Sequence, residues 1–230
     1  MSYSYGKWTK YHIMKENDTL ARYLPETHIL TETDFWRMLN QFGAVVIKPS
    51  EGSQGYGVVQ VTKLREERFE IHSGNKKIIC KRNGLTEFLD KEKYRRKIYI
   101  VQEKIPLATV GDRPFDIRVM VQRQEEKNEW SVTGKLVKVV ARGYFITNVS
   151  PEIIELNAAL EKSSLLEDVD FRVISDDLDI IAILTASQLN EYYPNSQIFG
   201  LDIGITDKGK LYIIEANLKP SWGLFKKLKE

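Results

Sequence analysis

Lys48 closes the apolar run "AVVIK", and Gly52, Gly55 and Gly57 follow in "PSEGSQGYGVVQV" before the chain turns apolar again. Glycine loses more freedom on ordering than any other residue, so three in one loop need a use. One use is to bring main-chain N–H groups close to an anion, with a lysine at the entry. The alternative is a glycine-rich turn beside a solvated lysine. Three familiar phosphate loops do not match. A P-loop runs from its glycines through a lysine into a helix, and a dinucleotide fingerprint also opens a helix; here the order is G-x-x-G-x-G and a strand-type run follows. A protein kinase carries its lysine after the loop and has an HRD segment, which this chain lacks. What is left is a hairpin flap suited to closing over a triphosphate.

The far end supplies carboxylates. In "GLDIGITDKGKLYIIEAN" two apolar runs flank a polar turn. If that turn centres on Lys208–Gly209, with Asp207 facing Lys210, then Asp202 falls opposite Glu215. Asn217 shares the face of Glu215 because side chains two apart on a strand point the same way. Like charges directly across a strand pair destabilise it unless something neutralises them. Asp202, Glu215 and Asn217 are hard oxygen donors of the kind Mg²⁺ takes together with phosphate oxygens. A three-residue loop would instead shift the register and turn these groups apart, and a partly exposed pair would merely be tolerated.

"FDIRVMVQ" alternates, putting Asp116, Arg118 and Met120 on one face and Ile117, Val119 and Val121 on the other. An arginine among apolar strand residues needs an anion, and its fork suits phosphate or carboxylate; Asp116 is the structural alternative. Arg142 and Asn148 stand six apart in "ARGYFITN". No Ser/His/Asp or Cys/His set is evident, and His12, His28 and His72 are scattered, as expected of surface or capping residues. Cations and an oxygen cluster around phosphates, without a protein nucleophile, point to phosphoryl transfer.

The elements that must position these groups are short. Helices are expected over 8–22, ended by Pro25; over 31–43, with Thr31 or Thr33 as cap and Gly43 as stop; and over 84–96, with Thr86 as cap. Further helices are expected over 151–163 and 176–193. Strands are expected at 44–49, 57–63, 68–73, 76–81, 97–105, 115–123 and 130–141 and on either side of the turn at Asp207–Lys210. Without regular strand–helix–strand alternation the fold class is α+β.

The 230 residues carry 34 Lys and Arg against 32 Asp and Glu, too even a balance to propose nucleic acid as partner. The single cysteine, Cys80, excludes an intrachain disulfide and a thiolate metal cluster and reads as a buried strand residue. No apolar run is long enough to span a membrane, and the start "MSYSYGKWTKYH" lacks a signal peptide's apolar segment, so the expectation is a cytoplasmic protein with no membrane partner.

As a set, "VVIKPSEGSQGYGVVQV", "YIVQEKI", "DIRVMVQ", R-x-x-x-x-x-N and "GLDIG…YIIEAN" resemble the ATP-grasp enzymes. More narrowly, "YLPETHIL", "YIVQEKIPL", "DIRVMVQ", "EWSVTGKLVKV" and "ITN" are similar to the YheC/YheD-like family, named for an association with the endospore coat. The resemblance runs from about residue 7 to the end. It implies two α+β lobes clasping ATP between antiparallel sheets: a short helical segment over 1–43, a lobe with the flap over 44–108 and a lobe with the metal site over 109–230. It further implies Lys7 and Lys48 on the phosphates, Gly52, Ser53, Gly55, Tyr56 and Gly57 as the flap, and Gln102, Glu103, Lys104 and Ile105 at the adenine hinge. Arg118, Arg142 and Asn148 would be catalytic, with Asp202, Glu215 and Asn217 on Mg²⁺. The implied reaction is ATP- and Mg²⁺-dependent ligation of a carboxylate to an amine through an acyl phosphate, with an amino acid or peptide as acceptor. The alternative is a nucleotide-binding or spore-coat structural protein that keeps the fold without turnover. Two departures stand out. Relatives usually carry a Gly-Gly pair shortly after the asparagine, where this chain reads "NVSPEII". Related ligases also carry an N-terminal domain, where only some 40 residues precede the flap strand here, so the expectation is a minimal chain, one with a protein partner that supplies substrate binding, or one specialised for a large acceptor such as a peptide.

Overall fold

Alternation in the 44–63 region builds a hairpin. In the computed structural model, which describes residues 4–52, 54–90, 97–124, 129–149 and 151–228, strands β2 (Ala44–Pro49) and β3 (Val59–Lys63) pair antiparallel, Val45 opposite Val61 and Ile47 opposite Val59. These four side chains are fully buried against Phe35, Met38 and Leu39 of helix α3 (Glu32–Phe42). Each such burial contributes about 1.5–3 kcal/mol. Helix α3 begins and ends as its sequence dictates: Thr31 Oγ1 accepts the Asp34 amide at 3.0 Å, and Gly43, at φ 72°, closes the last turn. Strands β1 (Thr27–Ile29), β4 (Arg68–Ser73), β5 (Lys76–Lys81) and β6 (Tyr99–Glu103) extend the hairpin into an antiparallel sheet of order β1-β6-β2-β3-β4-β5.

The second sheet has the order β10-β9-β8-β11-β12, from β8 (Arg113–Gln124), β9 (Glu129–Val139), β10 (Glu152–Ile154), β11 (Ile198–Ile205) and β12 (Leu211–Asn217), with the short β7 (Thr109–Val110) also paired to β8. Ile117, Val119 and Val121 of β8 and Phe199, Leu201, Ile203 and Ile205 of β11 pack on Ile174, Leu178, Ile181 and Leu189 of helix α6 (Phe171–Tyr192). The expected division of β8 into two faces is therefore real, and Asp116 and Arg118 are left facing the first sheet. The segment over 7–43 contributes side chains to both cores. Helices α1 (Lys7–Lys15) and α2 (Asp18–Ala21) send Ile13, Met14 and Leu20 into the second sheet's core, whereas β1 and α3 belong to the first sheet.

Several boundaries differ from the sequence reading, each for a local reason. The helix expected over 8–22 divides because the Asn17 side chain accepts the Thr19 and Leu20 amides and caps α2 anew. Helix α4 (Arg82–Leu89) starts straight from β5. Thr86 lies inside it, donating to the Arg82 carbonyl rather than capping, and residues 91–96 of the expected helix lie outside the described residues. The stretch expected as a helix over 151–163 first forms edge strand β10, Glu152 opposite Val139, and only then α5 (Leu156–Glu161). Helix α6 begins earlier than expected because Asp170 Oδ1 accepts the Arg172 amide at 2.8 Å. His72 is buried, its ring 3.0 Å from the Gly143 carbonyl, so this histidine of the first sheet holds a loop of the second. Cys80 is half-buried on β5. Among the described residues no helix is long and apolar enough to cross a membrane.

Candidate functional site

The two sheets face each other across a cavity of about 620 Å³. Lys7, Lys48, Gly52, Gly55, Tyr56, Gln102, Glu103, Lys104, Ile105, Arg118, Asn148, Asp202, Glu215 and Asn217 all line it, so residues from both ends of the chain meet there. Gly57 and Arg142 do not line it, and Ser53 lies outside the described residues. Among the described residues, seven basic side chains against four acidic ones border the space, which favours a polyanion. Val46, Val58, Leu107 and Ile214 give it an apolar part. Helix α7 (Gly223–Lys227) and the segment before it close one end. They can lie flat because two strand positions have no side chain: a Cβ on Gly200 would come 2.4 Å from Pro220, and one on Gly134 2.6 Å from Phe225.

The flap holds its shape through backbone that only glycine adopts freely. Gly52, Gly55 and Gly57 have φ of 136°, 73° and 74°. Gly55 is also a close approach, since a Cβ there would sit 2.3 Å from Ile146 Cδ1 on the facing lobe. Lys7 fastens the flap's entry: its Nζ donates to the Gly52 carbonyl at 2.9 Å and lies 3.4 Å from Glu215 Oε1. Its own amide donates to the Ser50 carbonyl at 2.7 Å.

Lys48 is held for a charge that the protein itself does not fully provide. Its Nζ donates to Gln102 Oε1 at 2.7 Å and to the Ile214 carbonyl at 3.3 Å, both neutral acceptors. Gln102 is in turn fixed by donating to Thr27 Oγ1 at 2.8 Å, so its side chain positions Lys48. Burial, only partly offset by Glu215 and aggravated by Lys7, lowers the Lys48 pKa to about 8. At the hinge, the Glu103 and Lys104 amides are already committed to the Glu26 and Ala44 carbonyls.

The acids and the arginine meet on the facing sheet. Arg118 binds Asp202 through both Nε and Nη2, at 2.7 and 3.1 Å, so Asp202 and not Asp116 satisfies it. Asp116 accepts from Thr147 and lies 3.0 Å from Lys138 Nζ, which is also 2.7 Å from Asp202 Oδ1. Burial pushes Asp116 above the ordinary carboxylate range. For Asp202 the same burial is outweighed by Lys138 and Arg118, which hold it below that range. Lys138 is the functional residue that sequence reasoning missed. Its signal is a lysine amid Leu136, Val137, Val139 and Val140, every one buried, on the β9 position opposite Asp116. Lys10 was missed as well; it is buried beside the site, donating to the Ala216 carbonyl.

Asp202 does stand opposite Glu215, but by a different route from the one the turn suggested. The loop has three residues, 207–209: Gly209, at φ 77°, donates to the Thr206 carbonyl, and Thr206 rather than Asp207 faces Lys210. Alone this would set Asp202 against Ile214. A bulge at Ile214 restores the pairing. Arg142 falls outside because Tyr144 N donates to the Ala141 carbonyl at 3.0 Å, closing a turn whose exposed corner is Arg142.

Asp202, Glu215 and Asn217 suit a hard divalent cation. Arg118 and Lys138 already hold the Asp202 oxygens and Lys7 faces Glu215, so a cation there would share these carboxylates with the three basic groups; among the described residues no three His, Cys, Asp or Glu side chains form a metal-binding group.

Comparison with known proteins agrees with this fold. The chain is 28% identical over 224 residues to the endospore coat-associated protein YheC of Bacillus subtilis (strain 168), a match covering 93% of this chain and 59% of YheC. It is 24% identical over 232 residues to the endospore coat-associated protein YheD of the same organism, covering 96% and 49%. The chain thus spans between about half and three fifths of the length of these relatives. Among solved structures, the ATP-grasp ligase PsnB complexed with minimal precursor superposes with a TM-score of 0.55 at 14% identity, over 97% of this chain and 55% of PsnB. The N5-carboxyaminoimidazole synthetase of Staphylococcus aureus complexed with ADP gives 0.55 at 11%, over 94% and 45%. At these identities the likeness is one of fold. The pattern of the YheC/D like ATP-grasp family matches residues 2–230, and the chain belongs to that family.

Proposed function

We propose that this protein is an ATP- and Mg²⁺-dependent carboxylate–amine ligase. The observation that carries the reading is the convergence, on one cavity, of Lys48 from β2, Arg118 from β8 and the Asp202/Glu215/Asn217 oxygen set from β11 and β12. In this reading the two sheets act as lobes, 44–108 and 109–230, with ATP as substrate between them. Mg²⁺, held by Asp202, Glu215 and Asn217, would neutralise phosphate charge.

The chain's own residues then have separate tasks. Lys48, set by Gln102, meets a phosphate oxygen. With the Glu103 and Lys104 amides and the Ile105 carbonyl already used, the hinge past the end of β6 offers adenine the Ile105 side chain. The flap, pressed against Ile146, excludes water that would hydrolyse an acyl phosphate. Arg118 stabilises charge on the transferring group. A substrate carboxylate attacks the γ-phosphorus as its bond to the bridging oxygen breaks and ADP departs; the amine of an amino acid or peptide then displaces phosphate. PsnB, whose solved structures include complexes with a precursor peptide, and the ligases with small-molecule substrates share the fold, which supports either kind of acceptor.

A second reading has one observation in its favour. Arg142, expected at the acyl-phosphate region, is exposed and off the cavity. A nucleotide-binding protein associated with the spore coat, without turnover, would have no need of it. Calorimetric titration of ATP with and without Mg²⁺, followed by an ADP-release assay with pairs of acids and amines, separates the readings. Sustained turnover abolished by Asp202→Asn supports the ligase; metal-dependent binding without turnover supports the scaffold; and no nucleotide binding overturns both.

A further inference from the structure

Behind Lys7 lies a second cavity, of about 650 Å³. Lys7, Gly52, Glu215 and Asn217 line both spaces, and Lys7, stretched between Gly52 and Glu215, forms the partition. The two cavities differ in character. The first has an apolar part, whereas the second is bordered by lysine, glutamate, serine and asparagine side chains, with the Tyr5 ring as its sole large apolar surface among the described residues. Such a lining suits a small, highly polar molecule.

The charges are ordered along its depth. Lys10 sits at the inner wall, 5% exposed, with its Nζ donating to the Ala216 carbonyl, one of the three bonds an ammonium can make. Glu51 is exposed at the rim, where it accepts from Ser4 Oγ at 3.4 Å. Tyr5 forms a platform: its ring stacks on Tyr193 at 5.5 Å, and Tyr193 donates to the Ser4 carbonyl at 2.6 Å.

We propose that this second cavity binds a zwitterionic amino acid or dipeptide, its carboxylate inward against Lys10 and Lys7 and its ammonium outward against Glu51. Deep in the cavity Lys7 and Lys10 outweigh Glu215, and the rim carries the acid Glu51; that net polarity matches a zwitterion and rejects a simple acid or a simple amine. The inward carboxylate is then the group that faces the nucleotide past Lys7. That last step rests on the ligase function proposed above; the binding itself does not.

Ligand-observed saturation-transfer NMR on the full chain tests it, using each standard α-amino acid and diglycine, with Mg²⁺ and a non-hydrolysable ATP analogue present and absent. The expected result is binding of at least one of these probes, weakened about tenfold by Glu51→Lys, a surface change that spares the fold. Tyr5→Ala weakens it as well. Acetate and ethylamine compete poorly. Absence of any signal, a signal equal in Glu51→Lys, or acetate competing as well as the amino acid would each overturn the proposal. A parallel nucleotide titration keeps the two ideas apart: failure to bind nucleotide sinks the ligase reading, while the samples without nucleotide still report on this cavity.

Discussion

Lys138 Nζ stands 2.7 Å from Asp202 Oδ1 with both side chains shut off from solvent, and the same ammonium reaches Asp116. One lysine therefore balances two acids on different strands. Lys138→Met keeps the volume and removes the charge, leaving Asp116 without its cation in a dry site. Breaking a buried pair in this way costs about 3–5 kcal/mol. The expected outcome is a urea unfolding midpoint shifted far downward; an unchanged midpoint would contradict the role assigned to Lys138.

Asp202→Asn leaves Lys138 with Asp116 but takes from Arg118 its bidentate acid, so the variant should lose stability while its circular dichroism spectrum at room temperature stays that of a folded protein. Nucleotide binding should lose its dependence on Mg²⁺, with the metal's apparent affinity falling by about tenfold or more. Titrating Mg²⁺ at fixed nucleotide, with calorimetric detection, reads this directly.

The lowered pKa of Lys48, from 10.5 to about 8, gives two pH effects of opposite sign. The unfolded chain holds a proton between pH 8 and 10.5 that the folded chain has released, so this residue's unfavourable contribution is full below pH 8 and fades as pH rises through that window. Anion binding needs the protonated lysine. Nucleotide affinity should therefore decline as pH passes about 8, and binding above that point should take up a proton. Calorimetry in buffers of different ionisation enthalpy detects the uptake, and Lys48→Met should abolish it.

Gly55→Ala meets two obstacles: a φ of 73° and a Cβ position 2.3 Å from Ile146 Cδ1. The backbone alone costs about 1–2 kcal/mol. The flap should be displaced from the facing lobe, with weaker nucleotide binding and little change in global stability, because the flap is not part of either core. Adding Ile146→Ala should recover part of the binding, since it removes the clash but not the backbone strain. Equal affinities for the single and double variants would argue against the contact.

Much of this was legible in the sequence where the chemistry is local. The β2 and β4–β5 strands follow from alternation, α3 from Thr31 and Gly43, and the two faces of β8 from the spacing of Asp116, Arg118 and Met120. What escaped depended on registers that residues far from the turns correct. Lys138 meets Asp116 only after a bulge between Met120 and Val121. Asp202 meets Glu215 only because the Ile214 bulge cancels the effect of a three-residue loop. That Arg142 lies off the cavity could not be read either, because its spacing to Asn148 does not reveal the turn that carries it outward. Asn17 and Thr86 show the same limit at helix ends, where one hydrogen bond decides between cap and interior.

The glycines at 134 and 200, by letting Pro220 and Phe225 lie on the sheet, bring Lys227 to the rim of the first cavity, while Ser4 and Tyr5 border the second. A fluorophore attached at Ser4 or Lys227 would thus sit beside a binding space and compete with the very ligands being assayed. The bend at Gly111, with open surroundings and no share in either cavity, is the better place for a label.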